Sequence, residues 1–217
     1  MAIYNAGYLS PIRKKLGNAV GRKWRNLDVL SVYQPNVSNP RTAAQQINRF
    51  RFGALSSIAM NVATALKLGF EAVTRGTKVP VRSYFIKSNW SKVSATAQGV
   101  VTVTYPDLIF SKGGLPMVQF GNPSFSDPLE VVVPLADSGS ATGADPADDV
   151  YMLIYDADNG ESILSEPKKR NDEEIVVLVP DYWNGHHVHC YGFGIGGGTE
   201  NKGIISNTRY LGAGTIS

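Results

Sequence analysis

The sequence predicts an α+β chain, mainly β: a basic N-terminal hairpin and one long helix, followed by an antiparallel β-sandwich. Three observations predict it. Residues 40–69 repeat apolar side chains at helix period, with Ile47, Phe50, Ala54, Ile58, Val62 and Ala65 three and four apart. From Met117 onward, short apolar stretches alternate with turn residues and show no helical period. Charge divides along the same line. Residues 1–92 hold 15 Lys and Arg against Asp28 and Glu71, a net of +13, whereas residues 93–217 hold 6 against 16 acids, a net of −10. Such asymmetry points to a polyanionic partner or to contact between copies.

The basic block reads as two short strands, Val20 with Lys23–Arg25 and Val29–Tyr33, turning at Asn26-Leu27-Asp28. A lone hairpin is marginal, so it must pack on something. Asn39 is a good N-cap, Pro40 suits a first helical turn, and Lys67 with Gly69 makes a stop. The helix spans about residues 40–68 and would be roughly 40 Å long. Its charges are Arg41, Arg49, Arg51 and Lys67, without a carboxylate. A shorter helix is expected at about 81–91, around Tyr84, Phe85 and Ile86. Val100–Tyr105 alternates in strand period and could run past Pro106 into Leu108-Ile109-Phe110. Ser111–Pro116 looks like a boundary, which divides the chain into 1–112 and 113–217. Candidate strands then follow at Met117–Phe120, Leu129–Leu135, Val150–Tyr155, Ser162–Leu164, Glu174–Val179, Val188–Ile195 and Ile204–Leu211. Seven short strands in about a hundred residues point to a sandwich of immunoglobulin or fibronectin type. Asp158-Asn159-Gly160 is a hairpin turn signal, and Ala136–Asp149 reads as an acidic loop at one end of the sandwich.

Composition is that of a globular protein, 43% apolar and 18% charged over 217 residues. No run approaches the roughly 18 apolar residues of a membrane span. Met1–Tyr8 lacks a charged segment leading into an apolar block, so no signal peptide is expected and the location would be virion or cytoplasmic. A single cysteine, Cys190, excludes an internal disulfide.

Signals for chemistry are weak. His186, His187, His189 and Cys190 are the densest set of metal-ligand types, but on a strand only His187 and His189 share a face. With Val188 and Cys190 pointing inward, the histidines are expected in solvent. Asp156–Gly160 has the opening carboxylates of a calcium loop without its later ligands, so a turn is the expected reading. Gly192–Gly198 ends a strand with no helix after it, which argues against a phosphate cradle. No catalytic motif is present, so no enzyme activity, metal or cofactor is expected. What remains is the basic set Arg13, Lys14, Lys15, Arg22, Lys23, Arg25, Arg41, Arg49 and Arg51, with Trp24 and Tyr33 nearby. Cations interleaved with aromatics suit a nucleic-acid surface, and arginines equally suit a subunit interface.

Ser38–Gln46 opening a long helix after Gly17–Trp24, together with Phe110–Pro116, Val188–Tyr191 and Ser206–Gly212, resembles a Bacteroidetes family known only as a domain of unknown function. A strand tryptophan usual there is replaced here by Val131-Val132-Val133-Pro134. Asn39-Pro40-Arg41-Thr42 followed by Gln45-Gln46 also resembles, more weakly, segments of phage structural proteins. Neither resemblance implies a reaction. The expectation is a non-enzymatic structural protein of a phage-type virion or surface assembly. It would make electrostatic contacts with copies of itself or with other structural proteins, as an oligomeric assembly built on charge. A nucleic-acid-binding protein using the basic patch is the alternative. A carbohydrate- or surface-binding module using an exposed Tyr182 and Trp183 is the third reading.

Overall fold

The computed structural model describes residues 2–4, 14–24, 27–36, 38–125, 128–136 and 141–217. Two compact units divide at Thr42 and Ala43.

In the first unit four strands form one antiparallel sheet: β1 (Ala2–Tyr4), β2 (Lys14–Leu16), β3 (Ala19–Trp24) and β4 (Leu27–Val32), in the order β1-β4-β3-β2. The expected hairpin is β3–β4. Its register pairs Trp24 with Leu27 and Lys23 with Asp28. Leu27 and Asp28, read from the sequence as part of the turn, are therefore strand residues, and Asn26 lies outside the described residues. The strands β1 and β2 flank the hairpin on either side, so it is not a lone two-stranded ribbon.

The second unit begins with α1 (Ala43–Asn61), α2 (Ala63–Thr74) and α3 (Val81–Asn89). The single long helix of the sequence reading is thus two. Val62 leaves helical geometry (φ −99°, ψ 21°), yet its amide still donates to Ile58 O and its carbonyl accepts from Leu66 N, both at 3.0 Å. The hydrogen-bond ladder therefore runs on across the break. The start is also later than expected, because Arg41 sits at φ 51°, outside helical space. Gly69 does not end α2. It is buried within it, and its carbonyl accepts the Lys112 amide at 3.0 Å. The glycine is there for proximity: a Cβ at this position would lie 2.2 Å from Phe110 O.

The short hairpin β5 (Val93–Ala95) and β6 (Val101–Val103) follows α3. Leu108–Phe110 does not extend β6. Buried Asn89 captures it instead, donating to Ile109 O (2.9 Å) and accepting from Ile109 N (2.8 Å). The remaining strands are β7 (Glu130–Pro134), β8 (Asp149–Asp156), β9 (Ser162–Leu164), β10 (Lys168–Lys169), β11 (Glu174–Leu178), β12 (His187–Ile195) and β13 (Arg209–Thr215). The larger sheet has the order β10-β8-β12-β13, with β9 also on β8, and β11 pairs with β7 as a second, two-stranded sheet. All of these pairings are antiparallel. Met117–Phe120 joins the second sheet only by a bridge from Phe120 to Leu135, and Ile205 touches the larger sheet only by a bridge to Ile195.

The expected sandwich is present, and its larger sheet is covered on both faces. Val150, Met152, Ile154, Val188 and Cys190 pack with Val131, Val133, Ile175 and Val177 of the second sheet. Leu153, Tyr155 and Tyr191, on the opposite face, pack with Leu55, Ile58, Leu66, Phe70, Phe85 and Phe110. The helices therefore share a core with the sandwich. The segment near 112 that reads as a boundary is an inner connection: Ser111 is buried, its amide donates to the Thr208 hydroxyl (2.6 Å), and Leu115 N donates to Ile205 O (3.0 Å).

Replacing an interior helical glycine by alanine ordinarily stabilises a helix by about 1 kcal/mol. Gly69→Ala is expected to do the reverse, lowering stability by about 1–3 kcal/mol because the new methyl meets fixed backbone. Urea unfolding of the two proteins measures the sign.

Candidate interaction surface

Antiparallel register assigns faces to the basic set. Cross-strand partners project to the same side. Lys14 pairs with Gly21, Leu16 with Ala19, Ala19 with Val32, and Lys23 with Asp28, all on one face. Lys15 pairs with Val20, Arg22 with Val29 and Trp24 with Leu27 on the other. Lys15 Nζ lies 3.8 Å from the centre of the Tyr33 ring, a cation–π contact. Lys14, Lys15, Arg22 and Lys23 are all exposed. Among them lie large apolar side chains open to water: Ile3 is 66% exposed, Leu16 61% and Val32 76%. Arg22, Lys23, Trp24 and Val29 line a cleft on this unit. Arg13 and Arg25 lie outside the described residues.

The remaining cations of the set are apart from this sheet in sequence and in role. Arg41 is exposed before α1, and Arg49 is exposed on its first half. Arg51 is committed internally: its guanidinium stacks 4.4 Å from the Trp90 ring centre and donates to Trp90 O. A residue held in this way is a packing element, not a ligand for a polyanion.

The histidines depart from the solvated picture. His187 is exposed, but His189 is buried on the helix-facing side of β12. Its ring stacks on Tyr105 at 4.3 Å between centres, and its Nδ1 shares a hydrogen bond with the Tyr210 hydroxyl (3.0 Å). Loss of water, reinforced by neighbouring His187, lowers its pKa from 6.5 to about 4. Burial pushes the Cys190 thiol up to about 12 and so removes its nucleophilic form.

His186 belongs to a different group. With Asp156 and Asp158 it forms the one set of three metal-ligand side chains among the described residues, its ligand atoms within 4.8 Å of one another. Protein groups already engage those atoms. Asp156 Oδ1 accepts the amides of Asp158 (2.8 Å) and Asn159 (3.3 Å), and its Oδ2 accepts from His186 Nδ1 (2.8 Å). Asp158 Oδ2 accepts the His187 amide at 2.7 Å. The group is a lock on the turn between β8 and β9, the hairpin turn signalled by Asp158-Asn159-Gly160, where Gly160 takes φ 76°. Tyr182 is exposed beside it, whereas Trp183 is fully buried, its Nε1 donating to Glu161 Oε2 at 3.1 Å. The exposed tryptophan of the carbohydrate reading is therefore a core residue. No helix among the described residues is long and apolar enough to cross a membrane.

A family model described as "Family of unknown function (DUF6266)" matches residues 11–212, and the chain belongs to that family. A search of curated proteins finds no match. Among solved structures, the chain is similar to the fn3 domain of human collagen alpha-1(XX) chain, with 16% identity and a TM-score of 0.33, over 49% of this chain and 85% of that one.

A histidine whose folded pKa lies below its unfolded value binds fewer protons folded than unfolded between the two. Stability then rises with pH across that window. His189 is expected to contribute a loss of stability as pH falls from 6.5 towards 4. Thermal melts at a series of pH values should show a shallower decline for His189→Gln than for the parent chain.

Proposed function

We propose that this member of DUF6266 is a non-enzymatic structural protein whose N-terminal sheet docks on the acidic surface of a neighbouring copy, in a virion-type or comparable surface assembly. The observation that carries the reading is the composition of that sheet's surface. Ile3, paired with Val29, stands in water on the face of Lys15 and Arg22, and Leu16 with Val32 stands in water on the face of Lys14 and Lys23. A monomer gains nothing from exposing large apolar side chains on so small a unit, whereas an interface uses them as its dry centre and the cations as its rim. Charge complementarity selects the partner. Residues 1–42 hold 7 Lys and Arg against Asp28, a net of +6, and residues 43–217 hold 14 against 17 acids, a net of −3. A second copy thus offers the opposite sign. The virion setting rests on the resemblance of the Asn39–Gln46 segment to phage structural proteins.

A second reading, binding of single-stranded nucleic acid, is favoured by one specific feature. Lys15, Arg22, Trp24 and Tyr33 share a sheet face, and bases stack on aromatics while cations follow the phosphates.

Light scattering at about 50 mM and about 500 mM salt separates the two, since exposed charges are largely screened at the higher value. Self-association at low salt that weakens at high salt, and that the double variant Lys15→Glu, Arg22→Glu abolishes, supports the assembly reading. A salt-insensitive monomer that instead retains oligonucleotides, with affinity falling steeply with salt, overturns it in favour of the second.

A further inference from the structure

The end of the larger sheet where β8 begins and β12 finishes holds a buried polar network that the assembly reading leaves unused. Asp148 and Arg170 are both fully buried, and Arg170 Nε donates to Asp148 Oδ2 at 3.1 Å. The same carboxylate accepts Asp145 N on Oδ2 (3.0 Å), and Gly197 N (3.0 Å) and Asn201 Nδ2 (2.8 Å) on Oδ1. Four donors leave Asp148 saturated and its charge balanced.

Asn201 is not saturated. It is only 6% exposed, and its Nδ2 donates to Asp148 Oδ1 and to Gly143 O (3.2 Å). Its Oδ1 is buried with no hydrogen-bond partner. Turning the amide over gives no relief, because the oxygen would then face two acceptors, a carboxylate and a carbonyl, at hydrogen-bond distance. The network thus sets the orientation and aims an unused acceptor away from Asp148. That acceptor converges with a second one. A Cβ built on Gly198 would lie 2.9 Å from Asn201 Oδ1 and 2.4 Å from Asp145 Oδ2. Asp145 spends its other oxygen on the Ala147 amide (2.8 Å). In front of the pair opens a cavity of about 530 Å³, whose polar side chains are Thr142, Asp145, Thr199, Glu200 and Asn201, with no cationic residue among those lining it.

We propose that this cavity is a cation site, taking a hard divalent ion of the Ca²⁺ class through the side-chain oxygens of Asp145 and Asn201, with Glu200 closing from the mouth. The donor set decides the class. All the polar side-chain atoms in it that can meet a cation are oxygens, carboxylate, amide and hydroxyl, which suit Ca²⁺ and lack the imidazole or thiolate that transition metals prefer. Loops can adapt to the six to eight ligands of Ca²⁺ more readily than to the strict octahedron of Mg²⁺. A bound ion would tie the loop before β8 to the loop after β12, which hydrogen bonds already hold together through Asp148.

Calorimetry and thermal unfolding of the full chain, first treated with chelator and then titrated with CaCl₂ or MgCl₂, test this. The expected result is one-site Ca²⁺ binding with Kd of about 10⁻⁵ to 10⁻³ M, and a Tm that climbs with Ca²⁺ concentration. Asp145→Asn keeps an acceptor for the Ala147 amide and removes only the charge. It should weaken binding at least about tenfold while the chelator-treated Tm stays near that of the parent, and Glu200→Gln should weaken it less. No heat and no Tm shift up to about 10 mM CaCl₂, beyond the weakest calcium modules, overturns the proposal, and so does a preference for Mg²⁺. Unchanged binding in both variants also overturns it, and would move the ion elsewhere, with Asp156, Asp158 and His186 the next place to look.

Discussion

Burial of β8 and β12 on both faces is the constraint on which residues 43–217 depend. An antiparallel sheet commonly keeps one face for water, and its strands then alternate. Here Val150, Met152 and Ile154 serve one core while Leu153 and Tyr155, on the same strand, serve the other. Each fully buried side chain of this size contributes about 1.5–3 kcal/mol relative to exposure, so two cores reinforce one pair of strands. Room for both comes from glycine. Gly192 and Gly194 are on the side of Phe120 and Val118, where a Cβ would lie 2.3 Å from the Phe120 ring and 2.9 Å from Val118 Cγ2. The glycine-rich run of β12 is thus a packing device.

This double burial also explains which features could be read from the chain alone. Signals that close within a few residues were legible: α3, the β8–β9 hairpin with its Asp-Asn-Gly turn, and the strands β8, β9 and β11 lie close to where local pattern puts them. Features decided by a remote partner were not. Gly69 looks like a helix stop until Phe110, 41 positions later in the sequence, is seen against it. His189 looks solvent-facing because Val188 and Cys190 claim the obvious core, and only the helical layer and Tyr105 give its face a second one. Ser111–Pro116 has the composition of a linker, yet Thr208 and Ile205 bury it. Trp183 follows a strand in a turn-like context and still fills the core that lacks a tryptophan at 131–134.

The candidate surfaces divide in the same manner. Lys14, Lys15, Arg22 and Lys23 were visible as a basic cluster, and strand register then sorts them by face. Arg51 could not be separated from them by sequence, because its partner Trp90 is 39 residues away. Nor does anything in Lys168-Lys169-Arg170 mark the third residue as buried: Lys169 reaches the exposed side of Asp149 at 2.6 Å, while Arg170 turns inward to Asp148. The Asn201 oxygen has no sequence signature at all, since its significance lies in what the other side of the same amide is doing.

Internal use of cations sharpens the meaning of the charge asymmetry. Between residues 43 and 92, Arg51 stacks on Trp90, Arg75 pairs with Glu71, Arg82 donates to Ser56, and Lys92 faces Asp107 at 3.6 Å. The exposed pairs among these add little stability, but they lower the free positive charge that the helical region presents. Residues 43–92 keep 8 Lys and Arg against Glu71, and the first 42 residues carry an excess of their own, 7 against Asp28. There it is interleaved with Ile3, Leu16 and Val32, whose attraction for a partner survives salt. A contact made by such a surface would be steered by charge and would add apolar area to ion pairs that salt weakens, which is how one small sheet can be selective for an acidic partner.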